Sequence, residues 1–152
     1  MRRKNAIIIA TILLLVTAGL IFVMSSKDAE HSMNDSIQFD RILAEILVDG
    51  FEEMTPEEQF LAAAQFDEPI RHVGHMIEFA VLGLLLAMLA VLIRRKLWMA
   101  FVIGCGYGAF DEIHQLFVEG RGCQLSDLCF DAIGVLTGIV VVWLVVRTKR
   151  VE

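Results

Sequence analysis

Apolar residues run almost unbroken through three stretches of the chain, residues 6–24, 73–93 and 127–146. A helix needs ~20 such residues to cross a hydrocarbon core of ~30 Å. A fourth stretch, residues 97–118, is as long but turns polar at its C-terminal end. The pattern predicts an all-α membrane protein, a four-transmembrane-helix bundle, with residues 1–152 as one membrane domain. Between the first two spans lies a loop, residues 25–72, with its own periodicity. Asn34, Asp35 and Ser36 offer caps for an amphipathic helix that places Ile37, Phe39, Ile42, Leu43, Ile46 and Leu47 at helical spacing. Asp49 and Gly50 end it. Thr55-Pro56-Glu57-Glu58 has the form of a capping box, opening a second short helix that presents Phe60, Leu61 and Ala64. Two such helices suit the plane of a membrane surface, either covering the bundle or forming a lid over it.

Composition agrees with this reading. The chain is 57% hydrophobic with a mean hydropathy of +0.65, too apolar for an ordinary soluble domain. Residues 6–24 follow a basic start, as a signal peptide would. They exceed a typical h-region and no small-x-small cleavage site follows, so they read as an uncleaved anchor.

Charge sets the orientation. Arg2, Arg3 and Lys4, then Arg94, Arg95 and Lys96, then Arg147, Lys149 and Arg150 supply nine of the 13 basic residues. All fall on one side of a four-span layout, and the positive-inside bias makes that side, with both termini, cytoplasmic. The remaining four are Lys27, Arg41, Arg71 and Arg121. Residues 25–75 hold 12 of the 19 acidic residues, so the net charge of −6 belongs to an extracytoplasmic loop. No basic patch suits nucleic acid, and no nucleic-acid partner is expected. The partner the composition does name is the lipid bilayer.

The candidate chemistry lies where polar residues interrupt the spans. Ionisable groups in hydrocarbon cost a few kcal/mol each, and they usually mark function. Arg71, His75, Glu78 and Leu82 fall at offsets 0, 4, 7 and 11 in the second span. Gly104, Gly108, Asp111 and Gln115 repeat those offsets in the third, and Asp127, Asp131, Gly134 and Gly138 in the fourth. At ~100° per residue each set forms one stripe. The stripes are expected to face one another, with glycines packing below and polar groups gathered above. This predicts an outward-opening pocket of Glu78, Asp111, His114, Gln115 and Asp131. Arg71, His75, Arg121 and Asp127 form its rim. Glu112, ~100° round the third helix from its stripe, is a further binding candidate.

Close carboxylates repel, which favours a bound cation, a cationic ligand group or a proton-carrying acid. A purely structural reading stands beside this one: the groups pair with each other, and Arg71, Arg121 and Gln115 tie the helices together. His75-x-x-Glu78 and Asp111-x-x-His114 have the spacing of metal ligands without the fuller repeat of carboxylate bundle sites, and the residues name no cofactor. Cys105 falls within the membrane. Cys123 and Cys129 lie at the outer surface, where oxidation would join them across the start of the last span. Free thiols are the simpler reading.

The same residues resemble the VanZ-like family. Arg71-His72-Val73-Gly74-His75-Met76-Ile77-Glu78-Phe79 with Leu82-Gly83 is similar to its first motif. Asp111-Glu112-Ile113-His114-Gln115-Leu116-Phe117-Val118, Gly120-Arg121, and Asp127 and Asp131 with Gly134 and Gly138 are similar to its second. The chain departs from the pattern at His72, where lysine is usual, at Phe79, where a hydroxylated aromatic is usual, and at Glu119, where proline is common. The resemblance implies a multi-pass protein of the bacterial cytoplasmic membrane. The family's named member is associated with low-level resistance to the glycopeptide teicoplanin. A lipid-linked or glycopeptide envelope ligand follows as the expected partner. The alternative is an intramembrane enzyme acting on a lipid or lipid-linked cell-wall precursor. Asp111 or Glu78 would then be its acid/base and His114 the proton-transfer partner, with Arg71 and Arg121 on a phosphate.

Overall fold

The computed structural model describes residues 2–148 and, apart from Arg2 and residues 29–36, their side chains. Lys149, Arg150 and the side chain of Arg2, all part of the expected basic flanks, lie outside the described residues. The order is α1 (Arg2–Ser25), α2 (Ala29–Leu47), a 3-10 turn (Phe51–Glu53), α3 (Pro56–Ala64), α4 (Asp67–Leu92), α5 (Leu97–Gln115) and α6 (Leu125–Thr148). No strand occurs among the described residues. Three helices are long and apolar enough to cross a membrane: Arg3–Ser25, Asp67–Leu92 and Leu125–Thr148. α5 has 19 residues, about 28 Å at 1.5 Å per residue. Its polar last turns, with Asp111, Glu112, His114 and Gln115, keep it out of that set.

α4 is the central helix and packs against α1, α5 and α6, with α6 closest. The reason is the absence of side chains along the seam. A Cβ at Gly138 would collide with the carbonyl oxygen of Ala80, and one at Gly134 with that of Met76. Gly83 in turn faces the backbone of Val135. Small residues of this kind let helix backbones touch where no hydrophobic force separates protein from lipid. Around the seam Ile21, Phe79, Leu82 and Val135 are almost fully buried. The outer surfaces of α1, α4, α5 and α6 leave large apolar side chains exposed, among them Leu15, Ile77, Ile103 and Leu136. A surface of this kind is satisfied by lipid rather than water.

α4 begins at Asp67, six residues before the expected start of the apolar run. Asp67, Glu68 and Pro69 all suit a first helical turn, where acids meet the positive end of the dipole and proline loses no hydrogen bond. At its other end Arg94 adopts φ 59. The Arg95 amide reaches the Ala90 carbonyl at 2.7 Å and the Arg94 amide reaches Val91 at 3.2 Å, which reverses the chain within three residues.

α2, the 3-10 turn and α3 form a separate small core of Ala44, Phe51, Ala62 and Ala63. The expected capping box is present: the Glu58 amide donates to the Thr55 hydroxyl, and the Glu58 carboxylate accepts from the Thr55 amide. The Thr55 amide and hydroxyl, both donating to Glu58 Oε2 at 2.8 Å, hold the Glu58 carboxyl below its ordinary range. Phe60 and Leu61 are exposed as expected, while Ala64 is half-buried. One boundary is corrected. α2 starts at Ala29, so Asn34, Asp35 and Ser36 lie inside the helix rather than at its start. Their side chains lie outside the described residues. No glycine or proline interrupts residues 29–36, and mid-helix Asn, Asp or Ser costs only ~0.5 kcal/mol each.

Gly138→Ala is expected to destabilise the protein by about 1–3 kcal/mol, because two backbones must separate. Gly106, where a Cβ would meet nothing within 4 Å, is the control: Gly106→Ala is expected to be neutral or stabilising. Thermal unfolding of the purified variants in one detergent checks both.

Candidate functional site

The polar stripes converge at the end of the bundle that carries α2 and α3, here the loop end. They do not form one group. The acids are divided among three contacts: Asp127 and Asp131 between α4 and α6, Asp111 between α1 and α5, and Glu112 between α5 and the residue preceding α6.

Between α4 and α6, His75 Nδ1 lies 3.2 Å from Asp131 Oδ1 and His72 Nε2 lies 2.8 Å from Asp127 Oδ1. Arg71 Nε adds a looser ion pair to Asp127 Oδ2 at 3.8 Å. The four-residue spacing of Asp127 and Asp131 puts both on the face of α6 that meets α4. Both are essentially without solvent exposure. The His72 ring also stacks on Phe130, with centroids 4.4 Å apart.

Between α1 and α5, the Ser25 hydroxyl donates to Asp111 Oδ2 at 2.8 Å. Gln115 Nε2, one turn on, donates to the same oxygen at 3.1 Å. His114 Nε2 lies 3.0 Å from the Ser26 hydroxyl, and that hydroxyl donates its single proton to the Phe22 carbonyl. His114 therefore acts as the donor through Nε2. Its ring stacks on Phe22 with centroids 4.4 Å apart. Two turns below, the Tyr107 hydroxyl donates to the Ala18 carbonyl at 2.6 Å. Glu112, off the stripe, accepts from the Gln124 amide at 2.8 Å and so ties α5 to the residue preceding α6.

A cavity of ≈ 320 Å³ opens beside this layer, lined by Ser25, Lys27, Arg71, His75, Glu78 and Arg121, with Met24, Phe39, Ile70 and Gly74 as apolar wall. Glu78 thus lies where the sequence pattern put it. Arg71, His75 and Arg121, expected at a rim, line the cavity itself. Asp111, Gln115 and Asp131 sit beneath, buried in interhelical bonds, and His114 faces α1 instead. Burial and the neighbouring Arg71 guanidinium push Arg121 below its ordinary value, with Asp111, Asp127 and Asp67 opposing. It stays charged, as an arginine must. Among the described residues no group of three His, Cys, Asp or Glu side chains is placed to hold a metal ion. Cys105, Cys123 and Cys129 are free, the last two exposed.

Ser25, Ser26, His72 and Tyr107 complete the layer without having been singled out as partners by the sequence pattern. The two serines read as the end of a span, and His72 reads only as a departure from lysine. A hydroxyl or imidazole in each case faces a carboxylate, histidine or carbonyl more than 50 residues away.

Asp127→Ala would strand His72 and Arg71 without their buried partner. The expected cost is about 3–5 kcal/mol, the range for breaking a buried pair from one side. Asp127→Asn, which keeps an acceptor for His72, is expected to cost less. Chemical or thermal unfolding in detergent separates the two.

Neither a curated protein nor a solved structure matches this chain. The sequence model of one family, VanZ/LLP1, does, over residues 9–146. That range takes in the bundle from the first turns of α1 to the last of α6, with every residue of the polar layer. With nearly its whole length matched, the chain belongs to the VanZ/LLP1 family.

Proposed function

We propose that this protein is a four-span factor of the bacterial cytoplasmic membrane. Both termini are cytoplasmic, and its loop-end cavity faces outward and contributes to glycopeptide resistance or envelope modification. The observation that carries this reading is the segregation of charge. Arg94, Arg95 and Arg147 line one cavity at the end opposite α2 and α3. Arg3 joins them there, donating to the Leu92 carbonyl at 2.6 Å. A basic cluster at one end of a membrane bundle favours the cytoplasm. The acidic loop and the cavity then lie outside. α5 completes the four spans: it packs on α4 and α6, and its exposed Trp98, Val102, Ile103 and Phe110 suit lipid contact.

Membership in the family supports an envelope role tied to resistance. The resemblance to the VanZ-like pattern points to teicoplanin and related lipoglycopeptides. A non-catalytic role is favoured over the enzymatic one, because neither candidate acid is seen to meet the relay: Glu78 lines the cavity, and His114 faces α1. Asp111 is fully buried against Ser25 and Gln115, while His114 faces Ser26.

Cells expressing the wild-type chain are expected to tolerate more teicoplanin than cells lacking it, and Glu78→Gln, which alters the cavity wall, is expected to weaken that protection at matched membrane abundance. Equal susceptibility of expressing and lacking cells would remove resistance as the role. For topology, Cys123 is the native probe, exposed between α5 and α6. With Cys105 and Cys129 replaced by serine, a membrane-impermeant maleimide is expected to label Cys123 in intact cells. Labelling only after lysis would invert the orientation.

A further inference from the structure

The loop-end cavity does not end at its polar wall. An apolar groove of ≈ 540 Å³ runs between α2 and α4, and the two spaces share Phe39, Ile70 and Gly74. The groove is lined by Leu43 from α2 and by Val73 and Ile77 from α4, the latter two at least half exposed. Polar and apolar compartments therefore adjoin across Phe39, Ile70 and Gly74, and the apolar one is walled by side chains exposed on the outer surface of α4. Each lies within the ~300–1,000 Å³ typical of ligand sites.

The charges of the polar compartment are the second observation. Outside the basic end the chain has four Lys and Arg residues. Arg41 donates to Gln59 on α3. The other three, Lys27, Arg71 and Arg121, line this one cavity beside Glu78, with Asp111, Asp127 and Asp67 near enough to act on Arg121. His75 is already engaged by Asp131. Arg71 donates no hydrogen bond within the described residues, its contact with Asp127 being a 3.8 Å ion pair. Guanidinium groups held close together in a part-buried site match the oxygens of a phosphate, for which they provide paired donors.

We propose that cavity and groove together bind one anionic membrane lipid, its phosphate between Arg71 and Arg121 and one acyl chain along Val73 and Ile77. The site rests on the reading above only in placing the loop end within a leaflet. Gly74 is the junction. A Cβ there meets nothing within 4 Å, so the helix accepts a larger side chain, which would project into the boundary the two compartments share. Among the described residues no carboxylate lines the groove, and its length of apolar wall suits a hydrocarbon chain rather than a soluble phosphate.

Native mass spectrometry of the full chain from mixed micelles tests this, with dioleoylphosphatidylglycerol, dioleoylphosphatidylcholine and sn-glycerol 3-phosphate as probes. The wild type is expected to retain phosphatidylglycerol at least ~10-fold over phosphatidylcholine, as a charge-assisted contact provides. Arg121→Gln is expected to erase that preference. Gly74→Leu is expected to lower retention of both lipids while unfolding at the wild-type temperature or above, since leucine favours the helix over glycine. Equal retention of the two lipids by the wild type would overturn the site, as would unchanged retention in both variants. Displacement of phosphatidylglycerol by equimolar glycerol 3-phosphate would reassign it to a simple anion and overturn the lipid. Selective lipid binding with unchanged teicoplanin susceptibility would sink the resistance role alone. Susceptibility changes without selective binding would sink the lipid site alone.

Discussion

Backbone contact between α4 and α6 is the constraint from which the rest of the structure follows. Gly134 and Gly138 bring α6 onto the carbonyls of Met76 and Ala80, and Gly83 accepts Val135 in return. Two helices locked this closely have no freedom to rotate or slide. One to two turns towards the loop end, the same faces must therefore present His72 and His75 to Asp127 and Asp131. The glycines set the spacing at which the imidazoles reach the carboxylates. The imidazole–carboxylate contacts, worth little as net stability when buried, then specify the register. Gly104 and Gly108 extend the arrangement to α5, where Gly108 faces Asp131 and Phe79.

Burial of so many carboxylates in one layer would be costly if they shared a single space. The fold eases that by giving the acids different partners and dividing them among helix contacts: Asp127 to His72 and Asp131 to His75 between α4 and α6, Asp111 to Ser25 and Gln115, Glu112 to the Gln124 amide. Glu78 is the acid left at the cavity wall, and it sits among cations. These carboxylates are thus drawn into the helix contacts, each leaving one buried oxygen without a hydrogen bond, and Lys27, Arg71 and Arg121 line the space. A pocket read from the residue list alone is acidic, whereas the cavity that forms is basic. This inversion is why an anionic lipid, rather than a cation, is the ligand argued for it.

The sequence by itself determined the helical membrane class, the stripes at offsets 4, 7 and 11, the capping box at Thr55 and the glycines that meet a neighbouring helix. Each depends on periodicity or on residues a few positions apart, and such local geometry is the same in any helix. Only the tertiary structure decided which polar groups pair. The contact of Ser25 with Asp111 spans 86 residues and that of His75 with Asp131 spans 56, and each depends on the relative rotation of two helices. Rotation about a helix axis leaves no trace in spacing along one chain segment. It is settled by which side chains are small enough to let two helices touch, so the split of one polar stripe into separate bonds and a cation-lined cavity emerges only when all four helices are packed.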